Sequence, residues 1–276
     1  MTLYKNKMLR KLLMPIFQKL NFGNITIKHP ETAMPLYIHS FKHKVFWFHG
    51  KNYEKNSADL FKLLIGTNQT VIEIGAHIGY FTQFISKLVG AKGKLFVFEP
   101  GENNLVYTRK NVSTLKNTEL IEKAASDING IISFYVENFS GQTNSLVRDE
   151  ETFANTIQVA NVVNGVYKKV DVQSISIDDF IKERNIHPDF IKIDVEGGEP
   201  FVLKGMVDCL KNEKPMVMIE ITKNKQEILR IFEFNGYILF DPEKNIFDLE
   251  KSQDLNAFCL HQEKHAAIIK SVFLSS

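Results

Sequence analysis

The stretch that most constrains the fold is residues 71–79, V-I-E-I-G-A-H-I-G. Three apolar residues and one acid come first, two glycines follow at Gly75 and Gly79, and apolar residues then recur at helical spacing as far as Val89. This order predicts a buried strand, a tight turn and a helix. Gly75 allows a sharp turn where the strand ends, and Gly79 allows the start of the helix to lie close to a ligand.

The spacing of these glycines indicates the kind of ligand that the turn accepts. Dinucleotide-binding enzymes carry three glycines in the order G-x-G-x-x-G beside the pyrophosphate. Here two glycines are spaced G-x-x-x-G, and Glu73 stands two residues before the first of them. This arrangement favours a cofactor that has no pyrophosphate and carries positive charge. S-adenosylmethionine, with its ammonium and sulfonium groups, fits that description.

A second apolar strand, K-L-F-V-F-E-P at residues 94–100, ends in the acid Glu99. In nucleoside-binding α/β folds an acid at the tip of the second strand, roughly 20 residues after the glycine turn, accepts hydrogen bonds from the ribose hydroxyls. We therefore predict that Glu99 binds a ribose. The alternative is an acid that stabilises the N-terminus of a helix starting near Gly101.

Charged residues interrupt a third strand signal, D-F-I-K-I-D-V-E-G-G-E-P at residues 189–200. Strand alternation places Lys192, Asp194 and Glu196 on one face. Charges on a strand that is covered on both faces are costly unless they are paired or used. Two interpretations follow, a reaction centre or an internal ion pair between Lys192 and Asp194 without chemistry.

Alternation of short strands with helices predicts a parallel α/β sheet with right-handed crossovers. Ligands of such sheets lie beyond the carboxyl ends of the strands. Five acids lie at or near predicted strand ends and should meet at one edge of the sheet: Glu73, Glu99, Asp194, Glu196 and Glu220. The cluster suits a cationic cofactor. Because oxygen ligands also suit Mg²⁺ or Ca²⁺, a divalent cation held by Asp194, Glu196 and Glu220 is the alternative, although no metal is expected.

Three further segments have local signals. The aromatic residues 36–50 predict one or two strands, with four side chains on one face: His39, His43, Trp47 and His49. Their spacing matches no metal-ligand pattern, so an edge strand is the preferred interpretation. Ser57 predicts the cap of a helix over 57–65. The polar residues 138–166 are too many for a simple connection and are either a lid or substrate loop or surface decoration.

Composition excludes several classes of function. A net charge of +2 with 24% charged residues provides no basic field for nucleic acid. Two cysteines form no disulfide framework, which indicates a reducing compartment and favours the cytoplasm. No apolar run approaches the roughly 18–20 residues that span a bilayer. Residues 1–28 are basic and amphipathic, and either contact an anionic membrane surface or partner, or cap the domain.

Together, V-I-E-I-G-A-H-I-G-Y-F-T, F-E-P and I-K-I-D-V-E-G-G-E resemble the FkbM family of S-adenosylmethionine-dependent methyltransferases, over about residues 50–240. The segments N-F-S-G-Q-T-N-S-L and S-I-S-I-D-D-F are similar to that family's Gly/Ser loop and T-L-D-D-F element. The resemblance implies a Rossmann-like, seven-stranded class I methyltransferase sheet with helices on both faces, plus an N-terminal helix and strand extension. It also implies O-methylation of hydroxyls on sugars or natural products.

The resemblance further implies which residues hold the cofactor and its product S-adenosylhomocysteine. They are Glu73, Gly75, Ala76, His77, Gly79, Tyr80, Glu99, Pro100, Ala125, Ser126 and Asp194. The family often has Asn where this chain has His77. We predict an N-terminal extension over residues 1–50, a methyltransferase domain over 51–262 and a C-terminal tail over 263–276.

Methyl transfer to a hydroxyl requires alignment of oxygen, methyl and sulfur, and a base for the departing proton. Asp194 is the first candidate for this base, Glu196 the second and His77 the third, the last because its ordinary pKa is nearest to neutral pH. The expected acceptor is a small molecule or a glycan. Two other functions stay open, a non-catalytic protein that keeps the fold and a nicotinamide-dependent oxidoreductase. The missing third glycine argues against the oxidoreductase.

Overall fold

The computed structural model describes residues 21–148, 166–252 and 255–274. Most of the basic segment 1–28 and most of the polar segment after residue 148 therefore lie outside the described residues.

The described residues contain twelve strands and eight α-helices. The strands are β1 Asn24–Lys28, β2 Pro35–His39, β3 Thr70–Ile74, β4 Lys94–Phe98, β5 Thr118–Ile121, β6 Ala124–Ala125, β7 Gly130–Glu137, β8 Tyr167–Ile175, β9 Phe190–Ile193, β10 Met216–Glu220, β11 Tyr237–Phe240 and β12 Asn256–His261. The helices are α1 Lys44–His49, α2 Lys55–Leu64, α3 Tyr80–Val89, α4 Glu102–Val112, α5 Ile177–Arg184, α6 Glu199–Lys204, α7 Lys225–Phe234 and α8 Ala266–Ile268. Short segments of 3₁₀ or π winding lie at Gly50–Asn52, Cys209–Glu213 and Ile269–Phe273.

Seven strands form the central sheet in the order β11-β12-β10-β9-β3-β4-β5. Strands β5, β4, β3, β9 and β10 are parallel to one another, whereas β12 is antiparallel to both of its neighbours, β10 and β11. The strand order therefore reverses between β3 and β9, which is where a doubly wound sheet opens a ligand crevice. The predicted seven-stranded class I methyltransferase sheet is confirmed.

Two apolar layers cover the faces of this sheet, because successive strand residues point to opposite sides. Val71 and Phe190 pack on one face with α2 and α3, through Phe61 and Phe81. On the other face Ile72, Ile191, Phe180, Val202 and Phe232 join strands β3 and β9 to α5, α6 and α7. The prediction of helices on both faces is confirmed.

Of the one or two strands predicted within residues 36–50, the structure has one, β2, and no strand follows among residues 40–50. Strand β2 pairs with β1 in a two-stranded antiparallel sheet and ends at His39, whose Nδ1 accepts hydrogen bonds from the backbone N–H groups of Phe41 and Lys42, each at 3.2 Å. Helix α1 follows, so the aromatic side chains of residues 44–49 lie around a helix. Packing of Phe46 against the core outweighs the local strand propensity. His39, His43, Trp47 and His49 thus share no strand face.

The predicted cap at Ser57 is also wrong, because helix α2 begins two residues earlier. Glu54 occupies the N-cap position with a φ of 42°, in the left-handed region. Ser57 lies within the first turns of the helix, and its Oγ accepts a hydrogen bond from Asn256 Nδ2 at 3.2 Å. The hydroxyl therefore ties α2 to β12 instead of capping the helix.

Strands β6, β8 and β7 form a separate three-stranded sheet beside the central one, with β7 and β8 antiparallel. The segment that follows β7 leads towards the carboxyl ends of the central strands. An isolated bridge between Tyr135 and Ser145 folds this segment back on β7. The side sheet thus delivers residues 138–146 to the edge where ligands are expected.

Both ends of the described chain pack on the central sheet. Leu36, Ile38 and Phe46 from the N-terminal segment and Ile269 and Phe273 from the C-terminal segment join the same buried cluster. The boundaries at residues 50 and 262 remain predictions. None of the described helices combines the length and apolarity that crossing a membrane requires.

Candidate active site

A cavity of about 380 Å³ opens at the carboxyl ends of β3, β4, β9 and β10. The structure brings most of the sequence-predicted residues to its wall: Glu73, Gly75, Ala76, His77, Tyr80, Glu99, Pro100, Ala125, Asp194, Glu196 and Glu220. Gly79 and Ser126 are not among the residues that line it. The expected convergence of the five acids at one edge of the sheet is therefore observed.

Gly75 stands at the point where β3 and β9 separate. Its φ is +87°, and a Cβ at this position would lie 1.8 Å from the carbonyl oxygen of Asp194. Its N–H donates to the carbonyl oxygen of Phe98 at 3.0 Å. Only glycine fits here, because both the backbone conformation and the neighbouring strand exclude a side chain.

Gly79 was expected beside a ligand, but its neighbours belong to helix α4. Its φ is +84°, and a Cβ would contact Asn111, Val112 and Thr108 of helix α4 at 3.5–3.7 Å. The glycine therefore allows the turn into α3 and borders α4. Ser126 is buried, and its Oγ donates to Asp127 Oδ1 at 3.0 Å. Contact of either residue with the cofactor remains a prediction.

The carboxyl group of Glu73 is buried beneath the glycine turn. Its side chain is 1% exposed, and Oε2 accepts a hydrogen bond from Thr82 Oγ1 at 2.6 Å. Burial raises the pKa of Glu73 to about 7, although the Lys192 ammonium and the Thr82 hydroxyl act in the opposite direction. The group thus changes charge near neutral pH.

Glu99 is held by three donors of the protein. Its Oε2 accepts from the backbone N–H of His77 at 2.8 Å, and its Oε1 accepts from Gly101 N at 2.8 Å and Asn104 Nδ2 at 3.3 Å. A carboxylate offers about four lone-pair sites, so Glu99 retains capacity for a further donor. Burial raises its pKa to about 7. The residue is both oriented by the helix start and able to accept from a hydroxyl.

Lys192 pairs with Asp194, as the ion-pair interpretation expected. Lys192 Nζ lies 2.9 Å from Asp194 Oδ2, and the lysine side chain is 1% exposed. Burial opposes the charge of Lys192, but Asp194 and Glu73 outweigh it and raise the lysine pKa. The Asp194 side chain is 28% exposed and also lines the cavity. The ion pair therefore coexists with access to a ligand.

Three carboxyl groups meet at the β9 and β10 side of the cavity. One oxygen each from Asp194, Glu196 and Glu220 lies within 4.8 Å of the others, which is the spacing of a potential metal site among the described residues. Burial, and then the neighbouring charge of Asp194, raises the pKa of Glu196 and of Glu220 well above the usual range. Oε2 of Glu220 is buried without a hydrogen-bond partner. The arrangement fits a positively charged ligand.

His77 is less suited to be a base than its ordinary pKa suggested. Burial lowers its pKa to about 4, although a hydrogen bond to Ser140 acts in the opposite direction. His77 Nε2 lies 3.0 Å from the carbonyl oxygen of Ser140. Because a carbonyl oxygen only accepts, Nε2 carries the proton of a neutral imidazole. The ring thus connects the glycine turn to residue 140.

Sequence reasoning missed several lining residues that come from distant segments. They are Phe46, Tyr53, Glu54, Asn104, Lys123, Gln142, Thr143, Asn144, Leu146 and Asn256, among others. The N-terminal members had no local signal, since long-range packing brings them to the cavity. The left-handed conformation of Glu54, with a φ of 42°, is visible only in the structure. For the loop residues, the similarity of N-F-S-G-Q-T-N-S-L to a family loop was the available signal.

The residues of this cavity fit S-adenosylmethionine. Glu99 has capacity for a ribose hydroxyl, and the glycine turn is followed by helix α3 rather than by a third glycine. The carboxyl groups of the opposite side offer the negative charge that a sulfonium and an ammonium require.

Comparisons with known proteins identify a matching family and several similar proteins. A model of the methyltransferase FkbM domain family matches residues 73–239. The 2-O-methyltransferase NoeI of Sinorhizobium fredii (strain NBRC 101917 / NGR234) is 27% identical over 154 residues, which cover 54% of this chain and 61% of that protein. The chain thus spans less than two thirds of the length of this relative.

Among solved structures, a methyltransferase FkbM from Methylobacillus flagellatus KT is 15% identical, with a TM-score of 0.44, over 90% of this chain and 59% of that chain. A putative rRNA methylase from Clostridium thermocellum is 12% identical, with a TM-score of 0.44, over 75% of this chain and 92% of that chain.

Proposed function

Because the chain belongs to the FkbM family of S-adenosylmethionine-dependent methyltransferases, we propose that it transfers a methyl group to a hydroxyl of a sugar, glycan or natural product. One observation carries the proposal. Acids on both sides of the strand-order reversal line a single cavity, with Glu99 on one side and Asp194, Glu196 and Glu220 on the other. Similarity to a 2-O-methyltransferase supports oxygen as the acceptor atom.

In this proposal the two sides of the cavity bind different parts of the cofactor. Glu99, oriented by the start of α4, accepts from the ribose hydroxyls. The carboxyl groups beyond β9 and β10 lie towards the sulfonium and ammonium. When bound, the cofactor supplies a methyl group already activated by its positive sulfur, so the protein has mainly to position the acceptor.

We assign the three-acid cluster to the cofactor's positive charge and not to a metal ion. The ammonium of Lys192 already lies 2.9 Å from one oxygen of Asp194 and would repel a divalent cation. The raised pKa of Glu196 and of Glu220 disfavours three ionised carboxylates at once, and a single positive charge requires fewer of them than a divalent ion does.

Asp194 is the proposed base for the acceptor hydroxyl. Its carboxyl group lines the cavity and is oriented by the ion pair with Lys192. Burial and the neighbouring charge of Asp194 raise the pKa of Glu196 and of Glu220, which disfavours their ionised, proton-accepting forms and makes them weaker candidates. His77 is weaker still, because burial lowers its pKa to about 4.

The proposed function is tested by incubating the protein with S-adenosylmethionine that carries a deuterated methyl group and with fractions of glycans and small metabolites. Mass spectrometry then locates the labelled methyl group. We expect the label on a hydroxyl oxygen of a sugar or natural product, and none with the variant Asp194→Asn. Transfer to nitrogen or to nucleic acid, with hydroxyl acceptors unlabelled, would contradict the proposal.

A further inference from the structure

Residues 138–146, here called the covering loop, are held in place by a buried acid. Glu137 is completely buried, and its carboxylate accepts hydrogen bonds from Phe139 N at 2.6 Å, from Ser140 N at 2.9 Å and from Ser140 Oγ at 2.6 Å. It also accepts from the N–H of Gly141. A carboxylate surrounded by backbone donors fixes the loop conformation before any ligand binds.

The covering loop is also hydrogen-bonded to two parts of the predicted nucleoside site, the surroundings of Glu99 and the glycine turn. Asn104 Nδ2 donates to the carbonyl oxygen of Gly141 at 3.0 Å and to Glu99 Oε1 at 3.3 Å. His77 Nε2 donates to the carbonyl oxygen of Ser140 at 3.0 Å. The loop is therefore positioned relative to the ribose-binding acid and to the glycine turn, and it forms part of the cavity wall.

Thr143, within this loop, has a hydroxyl group without a hydrogen-bond partner among the described residues. The residue is 7% exposed, lines the cavity, and its Oγ1 is buried without a hydrogen-bond partner. Its carbonyl oxygen, in contrast, accepts from Tyr167 Oη at 3.2 Å. A buried hydroxyl without a partner is costly, and such groups in native proteins call for a specific explanation.

Two other cavity residues also have a buried oxygen without a hydrogen-bond partner, but the surroundings of these oxygens differ from those of Thr143 Oγ1. Oδ1 of Asn104 lies against Gly141, where a Cβ would approach it to 1.8 Å, so it faces the covering loop. Oε2 of Glu220 belongs to the three-acid cluster. Thr143 is thus the neutral hydroxyl among them, and it can both donate and accept.

Asn144, the residue after Thr143, places Thr143 near the end of the cavity that is assigned to the nucleoside. Asn144 Oδ1 accepts from Glu137 N at 3.0 Å, and its Nδ2 donates to Asn103 Oδ1 at 2.8 Å in the first turn of α4. A Cβ on Gly101 would lie 2.6 Å from Asn144 Nδ2 and 2.9 Å from Glu99 Oε1. Asn144 therefore lies beside the acid assigned to the ribose, and Thr143 adjoins it.

We propose that Thr143 Oγ1 is a hydrogen-bond partner of the nucleoside portion of S-adenosylmethionine. This inference rests on the proposed function, since it assigns a further residue to the same cofactor. The covering loop holds the Thr143 hydroxyl in position, and the bound cofactor supplies its hydrogen-bond partner.

The test compares two variants of Thr143 by calorimetric titration with S-adenosylhomocysteine and with 5′-methylthioadenosine, which lacks the amino acid part. Thr143→Val keeps the shape and removes the hydroxyl, and we expect Kd to rise about 5- to 10-fold for both ligands. Thr143→Ser keeps a hydroxyl and should stay within about twofold of the unaltered protein. Thr222→Val is the matched control, because Thr222 Oγ1 is also buried without a partner but is not on the cavity wall.

Thermal unfolding separates binding from structure. Without ligand, Thr143→Val should have an unchanged or higher Tm, because an unsatisfied hydroxyl is replaced by a methyl group. A Kd for Thr143→Val equal to that of the unaltered protein would overturn the inference and leave the proposed function intact. A loss confined to S-adenosylhomocysteine would also overturn it, because it would place Thr143 at the amino acid end. If the unaltered protein binds neither ligand, the proposed function itself fails.

Discussion

The carboxyl group of Glu73 lies under the glycine turn, with Thr82 Oγ1 at 2.6 Å and an environment closed to water. A buried acid with a raised pKa binds its proton more tightly in the folded than in the unfolded chain. Its contribution to stability is therefore complete below the unfolded pKa and is lost as the pH rises through about 7. The ionised form of Glu73, which suits a cationic cofactor, thus destabilises the protein when no cofactor is bound.

The raised pKa of Glu73 predicts the pH dependence of the variant Glu73→Gln. At pH 5 both side chains are neutral, whereas at pH 8 only glutamine is, so the variant should gain stability relative to the unaltered protein as the pH rises. We expect a relative gain of about 2–3 kcal/mol between these pH values, measured by urea unfolding. The exposed Glu233→Gln is the control and should show no such trend. A pH-independent difference for Glu73→Gln would contradict the assigned environment.

The proposed role of Asp194 as the base gives a second prediction at this scale. Asp194→Asn keeps the shape of the side chain beside Lys192 but removes the proposed base. Turnover should fall by about 10²–10⁴-fold, while the Kd for S-adenosylhomocysteine changes by less than about tenfold. Initial rates and calorimetric titration measure the two quantities. An unchanged rate removes Asp194 as the base, and equal losses of binding and rate assign it to cofactor binding alone.

At the scale of elements, the junction of β3 and β9 is the most tightly built part of the site. Gly75→Ala combines an unfavourable left-handed conformation with a Cβ placed 1.8 Å from the Asp194 carbonyl oxygen. Gly23→Ala provides the matched control, because its φ is +66° and nothing lies within 4 Å of the added Cβ. We expect Gly23→Ala to cost about 1–2 kcal/mol of unfolding free energy, and Gly75→Ala several more or the loss of folding. Equal costs would contradict the close approach of the two strands.

The elements also show which features a sequence can predict. Strands β3, β4, β9 and β10 were predictable because each is a short apolar run followed by glycine, proline or acid, and the convergence of their acids follows from parallel topology. Helix α1 was not, since its aromatic residues have strand propensity and only packing of Phe46 on the core selects a helix. The left-handed Glu54 and the contact of Gly79 with α4 likewise depend on distant residues.

At the scale of the whole molecule, both ends of the described chain pack against the core beside the cavity. Phe273 stacks on Phe240 of β11 with ring centroids 4.2 Å apart, and Phe46 near the other end packs on Tyr80 beside the glycine turn. Since these contacts join residues far apart in the chain, no local pattern predicted the packing of residues 266–273. Segments outside the matched family region thus pack into the same core as the strands that carry the cavity.

This packing predicts a marked difference between two neighbouring residues. Phe273→Ala should lower the unfolding free energy by about 3 kcal/mol, because it removes a buried ring from the core. Leu274→Ala, at a side chain that is 61% exposed, should cost less than about 0.5 kcal/mol. Urea unfolding of both variants measures the difference. Similar small values would show that the C-terminal segment contributes nothing to the fold.

We propose above all that the acids of one cavity hold a nucleoside cofactor with a positive charge. The most direct measurement is calorimetric titration of the unaltered protein and of Glu99→Gln with S-adenosylmethionine, with NAD in parallel. We predict saturable one-site binding of S-adenosylmethionine, weakened about tenfold or more in Glu99→Gln, and no heat of binding with NAD. Binding of NAD in preference to S-adenosylmethionine, or affinity for S-adenosylmethionine that Glu99→Gln leaves unchanged, would contradict the claim.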